Sequence, residues 1–124
     1  LTCLPKTAWP PTSVLPDDKE LLRGKCIIAI GSYMPEMREI PDAVLDLVDN
    51  VYIELPYACE ESGDLSQPLA SGKLTKDRVK LMHEYLVSGE KEIKEGQTTY
   101  FKSVGMGLFD VCIAQKLYEV AKEK

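Results

Sequence analysis

Histidine is almost absent from these 124 residues, His83 being the only one. The four cysteines, Cys3, Cys26, Cys59 and Cys112, form no C-x-x-C pair. With one imidazole and no closely spaced thiolates there is no metal-ligand spacing, so no metal site is expected. The same scatter argues against a disulfide framework. Three of the cysteines sit in apolar segments, where a free thiol behaves as a small hydrophobe, and the expected setting is reduced and cytoplasmic. Basic stretches are missing as well. Lys and Arg number 15 against 20 Asp and Glu, a net charge of −5, with both signs mixed along the chain. Neither a basic stripe nor an alternation of cations with Trp9 and the tyrosines is present, so nucleic acid is not an expected partner. No apolar run reaches the ~20 residues that span a bilayer, and no basic region precedes an apolar one as in a signal peptide. A membrane is therefore not an expected partner either. There is no internal repeat and no low-complexity segment.

What remains has the length of one domain with a modest core. Its central stretch is residues 26–30, Cys-Ile-Ile-Ala-Ile, a β-branched run with the pattern of a strand buried on both faces. Gly31-Ser32 ends it and Pro35 bars its continuation. In an open α/β sheet, ligands sit beyond the carboxyl ends of such strands, so residues 31–37 are the first candidate surface. Before them, residues 1–4 read as a strand and residues 5–16, with four prolines, as a loop. Residues 17–24 form a helical turn closed by Gly24. Pro41-Asp42 opens a helix with Val44, Leu45, Leu47 and Val48 as its stripe, ended by Asp49-Asn50. Residues 51–55 make the next strand. Strand, helix, strand predicts a parallel pair joined by a right-handed crossover.

Residues 56–63 predict a helix, 64–68 a turn and 77–87 a helix with Val79, Met82, Tyr85 and Leu86 on one side. His83 lies beside that stripe with no acid or thiol placed next to it, a surface position rather than a catalytic one. Residues 90–96 are turn-like, and 98–101 read as a strand. A glycine-bearing loop, residues 102–107, leads into a final helix over 108–121. Backbone N–H groups over Ser103 to Gly107 could hold an anion or a carboxamide ahead of that helix.

Two segments carry more than pattern. A-I-G-S-Y-M-P-E-M-R-E-I over 29–40 and T-Y-F-K-S-V-G-M-G-L-F-D over 99–110 resemble the ornithine cyclodeaminase/mu-crystallin family. E-E-S-G-D-L over 60–65 is similar to that family's E-x-G-D-L stretch, and T-C-L-P over 2–5 to its T-x-T-P strand end. The resemblance covers nearly the whole chain, in order. It implies homodimers of chains a little over 300 residues long, in which an NAD(P)-binding Rossmann domain is joined to a substrate and dimerisation domain. By it the fold class is α/β, a partial Rossmann-like parallel sheet with flanking helices and a C-terminal helix. Residues 1–4, 26–30 and 51–55 would be its last three strands, side by side. Residues 1–97 would be the C-terminal half of the NAD(P) domain, and 98–124 a strand, loop and helix returning to the other domain.

The resemblance also implies site residues. Ala29, Ile30, Gly31 and Ser103 match positions beside the nicotinamide half of NAD or NADP, and Tyr33 and Val104 match substrate neighbours. Two positions depart from the cyclodeaminase pattern: Tyr33 stands where an aspartate acts on the substrate amine, and Met37 replaces a lysine. A phenol is a poor base at neutral pH, so no catalytic residue is assigned. The G-x-G-x-x-G turn that holds a pyrophosphate does not occur: Gly105-Met-Gly107 follows the wrong strand and lacks the third glycine. Two functions follow. One is part of an NAD(P)-dependent oxidoreductase acting on an imine or amino acid, inactive as this chain alone. The other is a non-catalytic binding module like mu-crystallin. The partners expected are a small-molecule substrate and either a second copy or the missing N-terminal portion. Leu108, Val111 and Leu117 would lie among the contacts, because exposed strand edges and apolar helix faces recruit partners.

Overall fold

The computed structural model describes residues 13–88 and 93–123. The expected strand at residues 1–4, the T-C-L-P match, Trp9, Cys3 and most of the proline-rich loop lie outside them.

Helix α1 (Lys19–Leu22) begins where the Asp18 carboxylate accepts from the Glu20 N–H at 2.9 Å. Gly24, at φ +69°, ends the turn with the left-handed conformation that glycine adopts without strain. Its N–H donates to the buried Thr98 Oγ1 at 2.8 Å, which ties this turn to the start of a strand 74 residues later. Strand β1 (Cys26–Ala29) follows, then α2 (Asp42–Leu47) and β2 (Val51–Ile53). The short helix α3 (Ala58–Glu61) runs into α4 (Gly63–Ser71), and a 3₁₀ turn (Lys76–Arg78) leads into β3 (Val79–Leu81) and α5 (Met82–Ser88). Strand β4 (Thr99–Lys102) and the long helix α6 (Gly107–Lys122) complete the described chain.

All strand pairs are parallel, in the order β1-β4-β2-β3. The expected β1 and β2 are parallel, but they are not neighbours. Strand β4 lies between them, pairing Ile27 with Tyr100 on one side and Val51 with Tyr100 on the other. The alternating T-Y-F-K pattern of this late strand places Tyr100 and Lys102 on the helix-covered face.

That face carries the core. Ile27, Ala29, Val51, Ile53 and Tyr100 pack against Val44, Leu45 and Val48 around α2 and against Leu65 and Leu74 around α4. On the opposite face, among the described residues, the Tyr85 ring of α5 meets Tyr52, centroids 5.1 Å apart. Beyond it Ile28 is 64 % and Ile30 70 % exposed. The expectation of a first strand buried on both faces is therefore corrected. Its run of apolar residues is real, but only Ile27 and Ala29 are covered.

Two other expectations are corrected. Residues 64–68 are not a turn. They lie in α4, which Ser62 caps and Gly72 (φ +78°) ends, and the helix accepts Pro68 at the loss of one backbone hydrogen bond. Residues 77–87 are not one helix, because Val79 and Leu81 alternate to pack beside the core as β3 before α5 starts.

The Arg78 guanidinium joins the 3₁₀ turn to the carboxyl end of α2. It donates to the carbonyls of Leu45 (2.7 Å), Val48 (2.6 Å) and Asp49 (3.0 Å), groups a helix end leaves without partners. Arg78→Ala should therefore destabilise the chain by about 2 kcal/mol. Arg78→Lys should recover less than half of that, since one ammonium nitrogen cannot stand where both Nε and Nη2 do. Urea unfolding of the two variants measures both.

Candidate functional site

Because the strands run parallel, the segments after β1, β2 and β4 emerge along one edge of the sheet. Residues 30–40, Glu54 and residues 103–106 meet there. The Ser103 N–H donates to the Ala29 carbonyl at 3.0 Å, extending the β1–β4 ladder to this edge.

Residues 30–40 contain no helix or strand, yet they are held closely. The Glu39 carboxylate folds back, and its Oε2 accepts from the N–H groups of Gly31 (2.7 Å) and Ser32 (3.1 Å). A Cβ on Gly31 would overlap that carboxylate, which is why glycine stands there. Ser32 Oγ donates to the Met37 carbonyl at 2.6 Å and shares a hydrogen bond with Ser62 Oγ at 2.8 Å. From α4, Asp64 Oδ1 accepts from the N–H groups of Glu39 (2.7 Å) and Ile40 (3.0 Å). Gly63 packs so closely on the Pro35 and Met37 carbonyls that a Cβ would collide with both. The G-D pair of the E-E-S-G-D-L stretch is thus a clamp on this loop.

Under the loop lies Lys102, fully buried at the end of β4. Its Nζ stands 3.2 Å from Asp64 Oδ2 and 3.4 Å from Glu39 Oε2. One cation among two carboxylates leaves an excess negative charge, and the four backbone N–H donors on the same carboxylates spread it. Buried charges persist only with such pairing and hydrogen bonding. The neighbouring Tyr100 hydroxyl is buried, with no hydrogen-bond partner among the described residues. Burial first, then the Asp64 and Glu39 charges, hold its pKa well above the ordinary phenol value, so Tyr100 is neutral and no base.

At the next strand end, Glu54 is 6 % exposed. Its Oε1 accepts from Ser103 Oγ–H (2.8 Å), Val104 N–H (2.7 Å) and Gly105 N–H (3.1 Å). The backbone anion site expected ahead of α6 is therefore corrected. Two of its N–H groups are already taken by an internal carboxylate, and that charge repels a second anion.

The structure brings Gly31, Ser103 and Val104 to this one edge. Ala29 is buried in the core, and Ile30 points to the bare face of the sheet. Tyr33 is half exposed on the loop, and Val104 packs partly against the core. His83 is exposed on α5. Sequence reasoning passed over Glu39, Glu54, Asp64 and Lys102 as site-forming groups. The available signals were a lysine at a buried position of an alternating strand and an acid directly after the V-Y-I run. Elsewhere, a groove of about 650 Å³ along β3 includes Cys59, Leu69 and Leu81. Burial pushes the Cys59 thiol up, away from reactive thiolate. No group of His, Cys, Asp and Glu that could hold a metal occurs among the described residues.

The ammonium's role is open to direct test. Lys102→Met keeps the stem and removes the charge, leaving the buried Asp64 carboxylate and the partly buried Glu39 carboxylate unneutralised. Urea unfolding should show a loss of about 3–5 kcal/mol, part of which Glu39→Gln recovers in the double variant. A loss below about 1 kcal/mol, the size of a surface pair, would contradict the cluster's weight.

This geometry has close relatives. The sequence profile of the ornithine cyclodeaminase/mu-crystallin family matches residues 5–124. A Delta(1)-pyrroline-2-carboxylate reductase of Bacillus cereus is 35 % identical over 109 residues, covering 86 % of this chain and 34 % of its own. The Arabidopsis thaliana protein SAR DEFICIENT 4 is 30 % identical over 92 residues, 73 % of this chain and 28 % of its own. The crystal structure of a probable ornithine cyclodeaminase from Bordetella pertussis superposes with a TM-score of 0.66 at 28 % identity, over 82 % of this chain and 33 % of that one. Delta(1)-pyrroline-2-carboxylate reductase from Thermococcus litoralis, solved in complex with NADH and L-proline, shares the fold with a TM-score of 0.66 at 23 % identity, over 82 % of this chain and 32 % of its own. The chain spans about a third of the length of the curated reductases it matches. On these matches, this chain belongs to the ornithine cyclodeaminase/mu-crystallin family.

Proposed function

We propose that this chain forms the C-terminal, nicotinamide-side part of an NAD(P)-dependent oxidoreductase acting on a cyclic imine or the related amino acid. The observation that carries the reading is the 35 % identity to a Delta(1)-pyrroline-2-carboxylate reductase over 86 % of the chain, which includes every strand end of the site. In it, residues 1–97 belong to the NAD(P) domain. Residues 98–124 cross the sheet as β4 and leave through α6 toward the substrate and dimerisation domain. The strand-end residues suit the amide-bearing end of the cofactor. Ser103 presents a hydroxyl, and Glu54 keeps a buried oxygen, Oε2, without a partner among the described residues. They do not suit its diphosphate, because no glycine-rich turn follows a first strand here. The bound cofactor, NAD or NADP, supplies the hydride; this chain's residues position and enclose. Tyr33 and Val104 are aromatic and apolar groups that would border the substrate and exclude water.

A second reading, a non-catalytic binding module, is favoured by Tyr33. It is 49 % exposed at the strand end, where cyclodeaminases of this family carry an aspartate, and it offers no base at neutral pH. Joining the chain to the N-terminal two-thirds of the Bacillus cereus reductase separates the two. The oxidoreductase reading predicts NAD(P)H-dependent reduction of Delta(1)-pyrroline-2-carboxylate by the chimera and no tight NADH or NADPH binding by the chain alone. A folded, NADH-binding chimera with no turnover would favour the binding module, and tight binding by the 124 residues would contradict an incomplete site.

Helix α6 has no buried residue, and Leu108, Val111 and Leu117 are each about three-fifths exposed. The described chain has no helix long and apolar enough to cross a membrane, so a second copy or the N-terminal portion is the proposed cover. Sedimentation should show self-association of the isolated chain that Leu108→Ser with Leu117→Ser weakens. A clean monomer at high concentration would contradict it.

A further inference from the structure

The two oxygens of Glu54 have different surroundings. Oε1 holds Ser103 Oγ–H, Val104 N–H and Gly105 N–H at 2.7–3.1 Å. Oε2 is equally enclosed and has no hydrogen-bond partner among the described residues. A buried carboxylate oxygen without a donor is rare in native proteins and marks a place for one. Ser103 reinforces the asymmetry. Its proton goes to Glu54, and one lone pair accepts from the Gly105 N–H at 3.1 Å. The capacity left on that hydroxyl is an acceptor. At this strand-end crevice, beyond the carboxyl ends of β2 and β4, the loop ahead of α6 is therefore left with acceptors rather than donors, although a glycine-bearing loop before a helix ordinarily offers the reverse.

We infer that Glu54 sets the hydrogen-bond polarity of this crevice, so that it receives a nitrogen bearing hydrogens and rejects carboxylate and phosphate. The inference rests on the crevice being the ligand site proposed above, and adds to it the chemical class admitted at this edge. Glu54 acts on Ser103 as a positioning residue and meets the ligand itself through Oε2. A neutral primary carboxamide and a protonated cyclic amine share the required chemistry.

Glu54→Gln tests the inference without dismantling the loop. Three donors on the Oε1 side force the amide oxygen to stay there, so the amide nitrogen replaces Oε2 and an acceptor becomes a donor. The amide resonances of Val104 and Gly105 in ¹⁵N-labelled chain report the site. The probes are nicotinamide (neutral carboxamide), pyrrolidinium (cation) and nicotinate (carboxylate). In the unaltered chain, nicotinamide or pyrrolidinium should shift both resonances saturably and nicotinate should not. Whichever of the first two acts identifies the source. In Glu54→Gln that probe should weaken about tenfold or more and nicotinate should begin to bind. If Glu54→Gln fails to fold, Ser103→Ala serves: it should weaken the nitrogen donor while still excluding nicotinate. Nicotinate binding to the unaltered chain as readily as nicotinamide would overturn the inference. So would an unchanged ranking in Glu54→Gln, nicotinate binding to Ser103→Ala, or no saturable shift with any probe. An inactive chimera beside the expected shifts would retire the oxidoreductase reading alone. An active chimera without them would retire the role of Glu54 alone.

Discussion

A single buried ammonium organises this fold. Lys102 sits at the end of the strand that joins β1 to β2, and its two counter-ions come from elements that share no strand pairing with it: Glu39 from a loop and Asp64 from the first turn of α4. An ammonium under full burial requires both, and each carboxylate in turn requires the backbone donors it holds. The loop of residues 30–40 is therefore shaped by charge neutralisation rather than by a ladder or a hydrophobic stripe. Gly31 and Gly63 follow as consequences, since each stands where a Cβ would displace a member of the network. The cost of desolvating three charges is large, and the gain is a long segment of irregular backbone placed reproducibly at the sheet edge.

The neighbouring strand end uses the same device with one acid. Glu54 gathers the Ser103–Gly105 turn onto one oxygen, as Glu39 gathers Gly31 and Ser32. In both places the protein's own carboxylate occupies N–H groups that an anionic ligand would otherwise use. The edge is thereby firm, acidic and poor in free donors, a character suited to the uncharged or cationic end of a ligand. The surfaces away from it are the reverse. Ile28, Ile30 and the apolar residues of α6, Leu108, Val111 and Leu117 among them, lie bare, the pattern of faces that other protein covers.

Much of this was legible in the residues. The apolar run at 26–30, the Pro-Asp start of α2, the strand at 51–53 and the closing helix all appear near where periodicity and punctuation place them. The family motifs converge on one edge of the sheet. What periodicity could not show was pairing. Nothing local to T-Y-F-K says that it lies between β1 and β2, because strand order is decided by contacts across dozens of residues. Val79 fits a helical stripe with Met82 and a strand alternation with Leu81, and packing against β2 chose the strand. Pro68 suggested a turn, but the Ser62 cap and the buried Leu65 outweighed one lost hydrogen bond. The roles of Glu39, Glu54, Asp64 and Lys102 were hidden for a related reason: charged residues read as solvated until a fold encloses them.

Native-state hydrogen exchange of the loop amides tests the central claim most directly. If the buried cluster holds residues 30–40, the N–H groups of Gly31, Glu39 and Ile40 should exchange only through global unfolding, as slowly as those of β4, although no helix or strand contains them. Exchange of these three at the rate of an ordinary surface loop, while β4 stays protected, would contradict the claim.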